Sequence, residues 1–573
     1  MVKVIRRSFG DFHHPKYSSL VNRIYASRGI KDPLDIDYDL KNLLPFHALK
    51  GIEACQNRLA QMVMNQERCL VIGDFDVDGA TSTTIAVDAL RAFGAKHVDF
   101  LLPDRFKFGY GLTPGIVGAA LAYKPDVIIT VDNGISSIDG VEAARKHGID
   151  VIITDHHLPG ESIPEDCIIV NPNQPGDEFP SKNCAGVGVI FYVMCALRSR
   201  LRENNWFKMQ SIPDVSMAQY LDLVALGTVA DVVPLDHNNR LLVKRGIHRM
   251  RAGLCRPGIA ALLHAGGRQL ERLRADDLGF IAGPRLNAAG RLEDMRIGVL
   301  CLLSDTYDQA AVFARELNDL NQRRKEIELS MKKQAFDELD KLSIPQEAIK
   351  GICVYDKTWH EGVVGLIASR IKDQYHRPTI AFAPHGDEML KGSGRSIAGV
   401  HMRDVLADVE ANFPGLMDRF GGHAMAVGLS LKLENLKAFE QAFIEMVGRR
   451  LESLSLEQII YTDGELEVNE MSIHTTKALM DAGPFGQQFP PPCFDGVFEL
   501  VDQRIVGQKH LKVMLRMKGG QRIIHGIIFN VDLDQWPNEH VEMVHIVYRL
   551  DINYYQGKEN LQLIIERIEP QMV

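Results

Sequence analysis

Between residues 46 and 240 the chain alternates short apolar runs with amphipathic stretches. "CLVIGDFD" is apolar, then acidic, and gives way to "GATSTTIAVDALRAFG", which predicts a helix stopped at Gly94. "DVIITVDNG" repeats the pattern ahead of a helix around "IDGVEAARKHG", and "DVIITDHH" supplies a third run. Continuous Val/Ile runs separated by helices predict a parallel sheet covered on both faces. Each run ends in acidic or imidazole residues. In open α/β sheets the site lies beyond the carboxyl ends of the strands, so one sheet edge is expected to collect polar residues from three strands.

Residues 305 to 343 carry interleaved charges and no Gly or Pro from 308 onward, which predicts one long helix connecting two domains. From 350 to 447 strands and helices return ("GICVYD", "PTIAFAP", "AVGLSLK", with "GVVGLIASRI" helical), a second α/β domain. Beyond about 457 the pattern shifts to short alternating segments such as "HLKVMLRM" and "RIIHGIIFN", separated by Gly and Asn turns, which predicts a small all-β barrel or sandwich. "FPPPCF" (489 to 494) reads as a rigid connection. The expected segments are an extension at 1–45, a parallel-sheet domain at 46–240, a helical connector at 241–345, a second α/β domain at 346–450 and a β module at 451–573.

Composition narrows this picture. A chain of 573 residues is too long for one core. The basic start "MVKVIRRSFGDFHH" has no apolar stretch behind it, unlike a secretory signal. The longest uncharged apolar segment, "CAGVGVIFYVMCAL", is far short of the roughly 20 residues that span a bilayer. Nine scattered cysteines without a Cys-x-x-Cys pair argue against a zinc ribbon and suit a reducing cytoplasm. The net charge of −9 does not advertise a nucleic-acid binder, but it averages over domains, and a carboxylate-rich site is itself negative.

The candidate chemistry lies in "VIGDFDVDGATSTT", which places Asp74, Asp76 and Asp78 within five residues. In an extended segment alternate residues share a side, so the three carboxylates can converge, with Gly79 turning the chain into the helix. Asp132 ends the second run and "TDHH" the third. Such an oxygen-rich set with an imidazole suits Mn²⁺ or Mg²⁺ better than zinc. It exceeds what one ion requires; two ions about 4 Å apart, bridged by a shared Asp, are the usual device for phosphoester hydrolysis. His156 and His157 are adjacent and point to opposite sides if the backbone stays extended, so one serves as a ligand and the other faces the substrate phosphate or acts as an acid. Asp231 stands in the apolar run "LVALGTVADVVPL" and needs a partner, for which a cation suffices.

"DFDVDG", "VDNG", "DHH" and "GTVAD" resemble, in order, the four motifs of the DHH phosphoesterase superfamily. "GSGRS" (392 to 396) and "GGHAMAVG" (421 to 428) resemble its accessory DHHA1 domain, and "GPRLNAAGRLED" (283 to 294) its RecJ-like branch, whose terminal β module is an OB-fold. "WHEGVVGLIASR" resembles a DHHA1 segment in which many relatives have Pro where Glu361 stands. The resemblance implies an α/β fold with a parallel-sheet DHH domain, a second α/β DHHA1 domain joined by a long helix, and a C-terminal all-β OB-like barrel. It implies Asp74, Asp76, Asp78, Asp132, His156 and Asp231 as metal ligands, Asp74 either directly or through another ligand, with two divalent cations, Mn²⁺ or Mg²⁺, as cofactors. Asp132 and His157 take the catalytic roles, His157 near the scissile phosphate.

Arg285, Asn287 and Arg291 are implied to bind the nucleotide, arginine forks being suited to phosphate oxygens; a surface salt bridge is the alternative for Arg291. Arg395, Ser396 and His423 are candidates for a strand phosphate, with Gly392, Gly394 and Gly422 allowing close backbone approach. In the β module Arg504, Lys509, Lys512, Arg516, Lys518 and Arg522, near Phe529, Tyr554 and Tyr555, form a single-strand platform or a solvated strand face. The implied activity is 5′-to-3′ degradation of single-stranded DNA to mononucleotides in recombination and repair, by a cytoplasmic monomer with no membrane association. Single-strand-binding protein and a RecQ-type helicase are the implied partners. The alternatives are a DHH phosphodiesterase acting on short oligonucleotides or cyclic dinucleotides, and a non-catalytic single-strand-binding scaffold.

Overall fold

The computed structural model describes residues 2–104, 109–341, 349–452 and 457–571. β1 (Val2–Arg6) opens the chain. The first sheet follows: β2 (Cys69–Ile72), β3 (Val98–Leu101), β4 (Val127–Val131), β5 (Asp150–Thr154) and β6 (Ile168–Val170), ordered β3-β2-β4-β5-β6 with every pairing parallel. All of β2 and β4 is buried. Leu70, Ile72, Ile128 and Ile153 share one core with Ile116 and Val141 from the helices Pro114–Ala120 and Ile138–Lys146. Val71, Ile129 and Ile152, which alternate with them, are fully buried as well, so both faces are covered. Strand order reverses between β2 and β4, and Ile72 pairs with Thr130 while Val131 pairs with Thr154. These strands stop nearly level and leave a crevice beyond their carboxyl ends.

The second sheet contains β7 (Ile352–Tyr355), β8 (Thr379–His385), β9 (Met389–Arg395), β10 (Arg419–Gly422) and β11 (Ala426–Lys432), ordered β10-β11-β9-β8-β7. β7 and β8 pair in parallel and the remaining pairs are antiparallel. Gly392 and Gly394 lie inside β9, where a Cβ would sit 2.4 Å from Phe382 and 2.6 Å from Val427. These two glycines make room for the sheet's own core.

Helix Tyr307–Lys341 is a single 35-residue element, and residues 342 and 343 of the expected helix lie outside the described residues. The chain divides into two compact units. One comprises Met1–Val2, Pro284–Gly298 and Val312–Gln458; the other comprises Lys3–Gly283, Val299–Ala311 and Ile459–Val573.

β12 (Gln458–Thr462) returns to pair with β1. β13 (Phe494–Val506), β14 (His510–Met517), β15 (Ile523–Ile528), β16 (Met543–Tyr555) and β17 (Lys558–Pro570) close a barrel in the order β13-β14-β15-β17-β16. Period-two patterning decides its inside: Leu511, Val513 and Leu515 are buried, while Lys512 and Arg516 alternate with them. Arg504, Lys509, Lys518, Arg522, Phe529, Tyr554 and Tyr555 are exposed. The Arg272 guanidinium lies 3.9 Å over the Tyr554 ring, whereas Arg516 pairs with Glu499 at 3.4 Å, as a solvated strand face would.

The N-terminal segment is stitched to the approach to this barrel. Arg28 donates to both Asp463 oxygens, at 2.9 and 3.1 Å, and to the Pro490 carbonyl at 2.7 Å. Both members of the ion pair are buried. Removing one partner leaves the other charge buried and unpaired. Arg28→Ala is therefore expected to cost about 3–5 kcal/mol of stability, measured as a lowered urea midpoint.

Candidate metal centre

Beyond β2 the three clustered aspartates do not stay on one extended strand. Asp76 caps the helix Val77–Ala92, accepting the Gly79 N–H at 3.0 Å. That capping bond starts the helix early and carries Asp78 into its first turn, which corrects the expectation of a shared strand face. Asp78 is buried and accepts the N–H groups of Gly186 (2.7 Å) and Val187 (2.8 Å) at the N-terminus of the helix Gly186–Glu203. Gly79 matters for proximity rather than for turning: a Cβ there would fall 2.5–2.7 Å from the backbone of Asp74.

Asp132 follows β4 at φ +62°, a left-handed conformation that Asp tolerates better than most residues. Its N–H bonds the Thr154 carbonyl at 2.9 Å. Asp231 caps the C-terminal end of the helix Leu221–Ala230.

His156 and His157 were expected to diverge, and they do not: their ring centroids are 4.4 Å apart. The strand ends at Thr154, and Asp155 Oδ1 accepts the N–H groups of both histidines, at 2.7 and 3.1 Å, bending the chain into a turn. His156 Nε2 lies 3.1 Å from Asp132 Oδ1, 3.5 Å from Asp231 Oδ2 and 3.8 Å from Asp78 Oδ2. Three overlapping sets result: Asp132, His156 and His157; Asp78, His156 and Asp231; and Asp74, Asp76 and Asp132. Within each set the ligand atoms fall within 4.8 Å of one another. The six ligands expected from the sequence thus converge from four different chain segments.

The electrostatics fit a cation. Burial, reinforced by neighbouring carboxylates, pushes Asp78 and Asp132 well above the ordinary carboxylate range, and burial with the Asp76 charge raises Asp231 to about 7. Asp132 Oδ1 is buried yet accepts no hydrogen bond. A cluster that holds protons this tightly, built mainly from carboxylate oxygens, matches a hard divalent cation of the Mn²⁺ or Mg²⁺ kind.

His157 takes a different part. Burial would lower its pKa, but the 2.8 Å bond between its Nδ1 and Asp155 Oδ1 overrides this and raises it to about 9. Burial would likewise raise Asp155, yet the same bond holds it at about 2. The Asp155 carboxylate thus favours a proton on His157. The sequence candidates lacked Asp155, although it begins the "DHH" motif. They also lacked Tyr110, whose hydroxyl donates to the Asp132 carbonyl and lies 3.3 Å from both ring nitrogens of His157. A lone tyrosine in a loop carries no signal in the sequence.

The remaining candidates belong to the other compact unit. Arg285 is buried on the helix Gly283–Leu292 and donates to Asn318 Oδ1 at 3.2 Å; burial lowers its pKa. Asn287 is half-buried on that helix, and Arg291 donates to the Gly362 carbonyl at 3.1 Å. Arg395, Ser396 and His423 gather at one end of the second sheet, where Arg395 pairs with Ala426 and the His423 N–H bonds the Ala426 carbonyl. The Ser396 hydroxyl is buried and donates to Val400 O at 2.6 Å. The Arg395 guanidinium instead donates to Ser393 Oγ at 3.1 Å, beside the first turn of the helix Val364–Tyr375. Glu361 pairs with His385 at 3.0 Å.

A parallel sheet with a carboxylate–imidazole cluster at its switch point, followed by a mixed sheet, defines the DHH phosphoesterase class. Residues 68–228 match the DHH family, N-terminal domain, and residues 348–449 match the DHHA1 domain. Residues 462–567 match the RecJ OB domain. The chain is 51% identical over 552 residues to the single-stranded-DNA-specific exonuclease RecJ of Escherichia coli, covering 96% of each chain. It is 45% identical over 561 residues to RecJ of Haemophilus influenzae, covering 97% of this chain and 96% of that one. The crystal structure of RecJ in complex with Mn²⁺ from Thermus thermophilus matches with a TM-score of 0.79 at 28% identity, covering 97% of this chain and 76% of that one. This chain belongs to the RecJ family of single-stranded-DNA-specific exonucleases.

Two measurements test the electrostatics. The folded pKa values of Asp231 (about 7, against 3.8) and His157 (about 9, against 6.5) are both raised, so each contributes stability that is full below the ordinary value and lost as pH rises through the folded one. In chelator, the Tm is expected to fall from about pH 4 to about pH 9, and added Mn²⁺ to restore it more at the alkaline end; a flat or rising chelator profile contradicts the assignment. Asp155→Asn, which removes the charge that favours a proton on His157, is expected to lower kcat about a hundredfold and to shift the alkaline limb of the pH–rate profile downward.

Proposed function

We propose that this chain degrades single-stranded DNA from the 5′ end to mononucleotides, using Mn²⁺ or Mg²⁺, in recombination and repair. The observation that carries the reading is the convergence of Asp74, Asp76, Asp78, Asp132, His156 and Asp231 around one crevice, with His157 held beside them by Asp155. Asp132 belongs to two of the three sets, and its carboxylate is of the kind that two ions would share; the single lone pair of His156 Nε2 would serve one of them. Bound there, two divalent cations supply Lewis acidity toward a phosphodiester and lower the pKa of water.

His157 then places its Nε2 proton toward the leaving 3′ oxygen, with Nδ1 anchored on Asp155. Tyr110 braces that ring. The Asp132 carboxylate, fixed at a strained backbone, orients the reacting group. Arg285, Asn287 and Arg291 hold nucleotide phosphates. Arg395 takes a strand phosphate, with Ser396 and His423 framing that end of the sheet. The exposed cations and aromatic rings of the barrel form a platform for the unpaired strand.

In this division of labour residues 46–240 carry hydrolysis, 241–345 link, and 346–450 and 451–573 grip the strand. Single-strand-binding protein and a RecQ-type helicase, which would present unpaired ends, are proposed partners. We place the activity in the cytoplasm, as a monomer; among the described residues no helix is long and apolar enough to cross a membrane.

The test is digestion of 5′-end-labelled oligonucleotides, single- and double-stranded, with Mn²⁺. Labelled mononucleotide is expected at once from the single strand only, and Asp132→Ala is expected to be inactive. Binding of the single strand without release of nucleotide would leave a scaffold in place of an enzyme. Cleavage confined to dinucleotides would point to the short-oligonucleotide phosphodiesterases.

A further inference from the structure

β6 ends the parallel sheet at one edge, and "NPNQ" (171 to 174) follows it. Two side chains of this stretch turn back onto the histidines. Asn171 Nδ2 donates to the His157 carbonyl at 2.9 Å, and Asn173 Nδ2 donates to the His156 carbonyl at 2.6 Å. The pair is itself organised: Asn171 is fully buried, and its Oδ1 accepts the Asn173 N–H at 2.7 Å. Pro172 between them has a fixed φ and no N–H to compete for these acceptors.

Asp155 already holds the N–H groups of both histidines. Each histidine is thus gripped at its N–H by a carboxylate and at its carbonyl by a side-chain amide. A residue fixed at both peptide groups has little freedom left in φ and ψ, and the directions open to its side chain follow the backbone. The double grip keeps the two adjacent rings on one side, where an extended backbone would send them to opposite sides. The Asn173 amide also donates to the Lys182 carbonyl at 3.1 Å. Shortly beyond Lys182 the chain enters the helix Gly186–Glu203, whose first two N–H groups bind Asp78. Asn173 therefore ties His156 to the segment that places Asp78, and both of those residues share one candidate ligand set with Asp231.

We propose that Asn173 and Asn171 are positioning residues for the two histidines: Asn173 sets His156 toward its ion, and Asn171 sets His157 toward the phosphodiester. This rests on the reading of His156 as a metal ligand and of His157 as the group facing the substrate. Each asparagine acts through a backbone carbonyl. Partners that orient metal ligands from behind are commonly worth about ten- to a hundredfold in metal affinity or activity. A merely structural role would make the two asparagines alike, each costing stability and nothing else. Positioning separates them, because one histidine serves the ion and the other the substrate.

The experiment pairs Mn²⁺ binding, followed by the paramagnetic resonance of the free ion, with steady-state cleavage of a 5′-labelled single-stranded oligonucleotide across a Mn²⁺ titration. Wild-type protein is compared with Asn173→Ala, Asn171→Ala and His156→Ala, with a urea midpoint for each. Asn173→Ala is expected to weaken Mn²⁺ binding and to raise the Mn²⁺ concentration for half-maximal cleavage about tenfold, with kcat recovered at saturating Mn²⁺. Asn171→Ala is expected to bind Mn²⁺ as wild-type protein does and to lose about tenfold in kcat, with the KM for the strand unchanged. Where an alanine variant fails to fold, the aspartate variant at that position, Asn173→Asp or Asn171→Asp, keeps the shape, replaces the amide donor with a carboxylate and carries the same expectation. A wild-type Mn²⁺ dependence in the Asn173 variant, an unchanged kcat in the Asn171 variant, or the same losses in both overturns the inference while the metal assignment stands. Mn²⁺ binding by His156→Ala equal to that of wild-type protein overturns that assignment, and the inference with it.

Discussion

Mutual repulsion among buried carboxylates is the constraint on which the catalytic end of this molecule depends. Five aspartates and a histidine gather at the edge of a parallel sheet, and for Asp78, Asp132 and Asp231 burial together with neighbouring carboxylates disfavours ionisation. His156 Nε2 lies 3.1 to 3.8 Å from the carboxylates of Asp132, Asp231 and Asp78. Hydrogen bonds answer part of the cost: Asp78 faces the amino end of a helix, where two N–H groups and the helix dipole favour negative charge. Divalent cations answer the rest, and the same ions make the cluster useful.

Holding the carboxylates this close is the work of glycines whose value lies in an absent Cβ. At Gly79 it would strike the backbone of Asp74, at Gly186 it would fall 2.7 Å from the Asp132 side chain, and at Gly227 it would fall 2.4 Å from Thr81 and 3.0 Å from Asp78. Each glycine belongs to a different helix, so three helices press against the same acidic group. The crevice is defined by backbone approach as much as by side-chain identity.

Where a local rule governs, the sequence is a sound guide. The buried Val/Ile runs become β2, β4 and β5 because a parallel sheet tolerates no polar face, and alternation marks the barrel strands. The acidic candidates lie at strand ends and helix termini, where sheet topology gathers them. Side-chain direction is not legible in this way. Asp78 leaves the extended register because Asp76 caps a helix, and the two histidines lie together because Asp155 binds both of their amides. Tyr110 reaches the site from a loop without periodicity, and the glycines of β9 answer to Phe382 and Val427, which lie elsewhere in sequence. Contacts of that kind are decided by tertiary packing, which single-sequence patterns do not encode.

The tie between Arg28 and Asp463 spans 435 residues of sequence. During synthesis at 5–20 residues per second, the leading segment would wait roughly 20 to 90 s for its partner to be made. The parallel sheet can complete itself in that interval, since all its strands lie before residue 171. The amino-terminal segment therefore docks among the last events of biosynthesis, when the barrel approach leaves the ribosome. It works as a latch on a finished assembly, and a chain truncated before Asp463 would retain its sheet but carry an unsecured leading end.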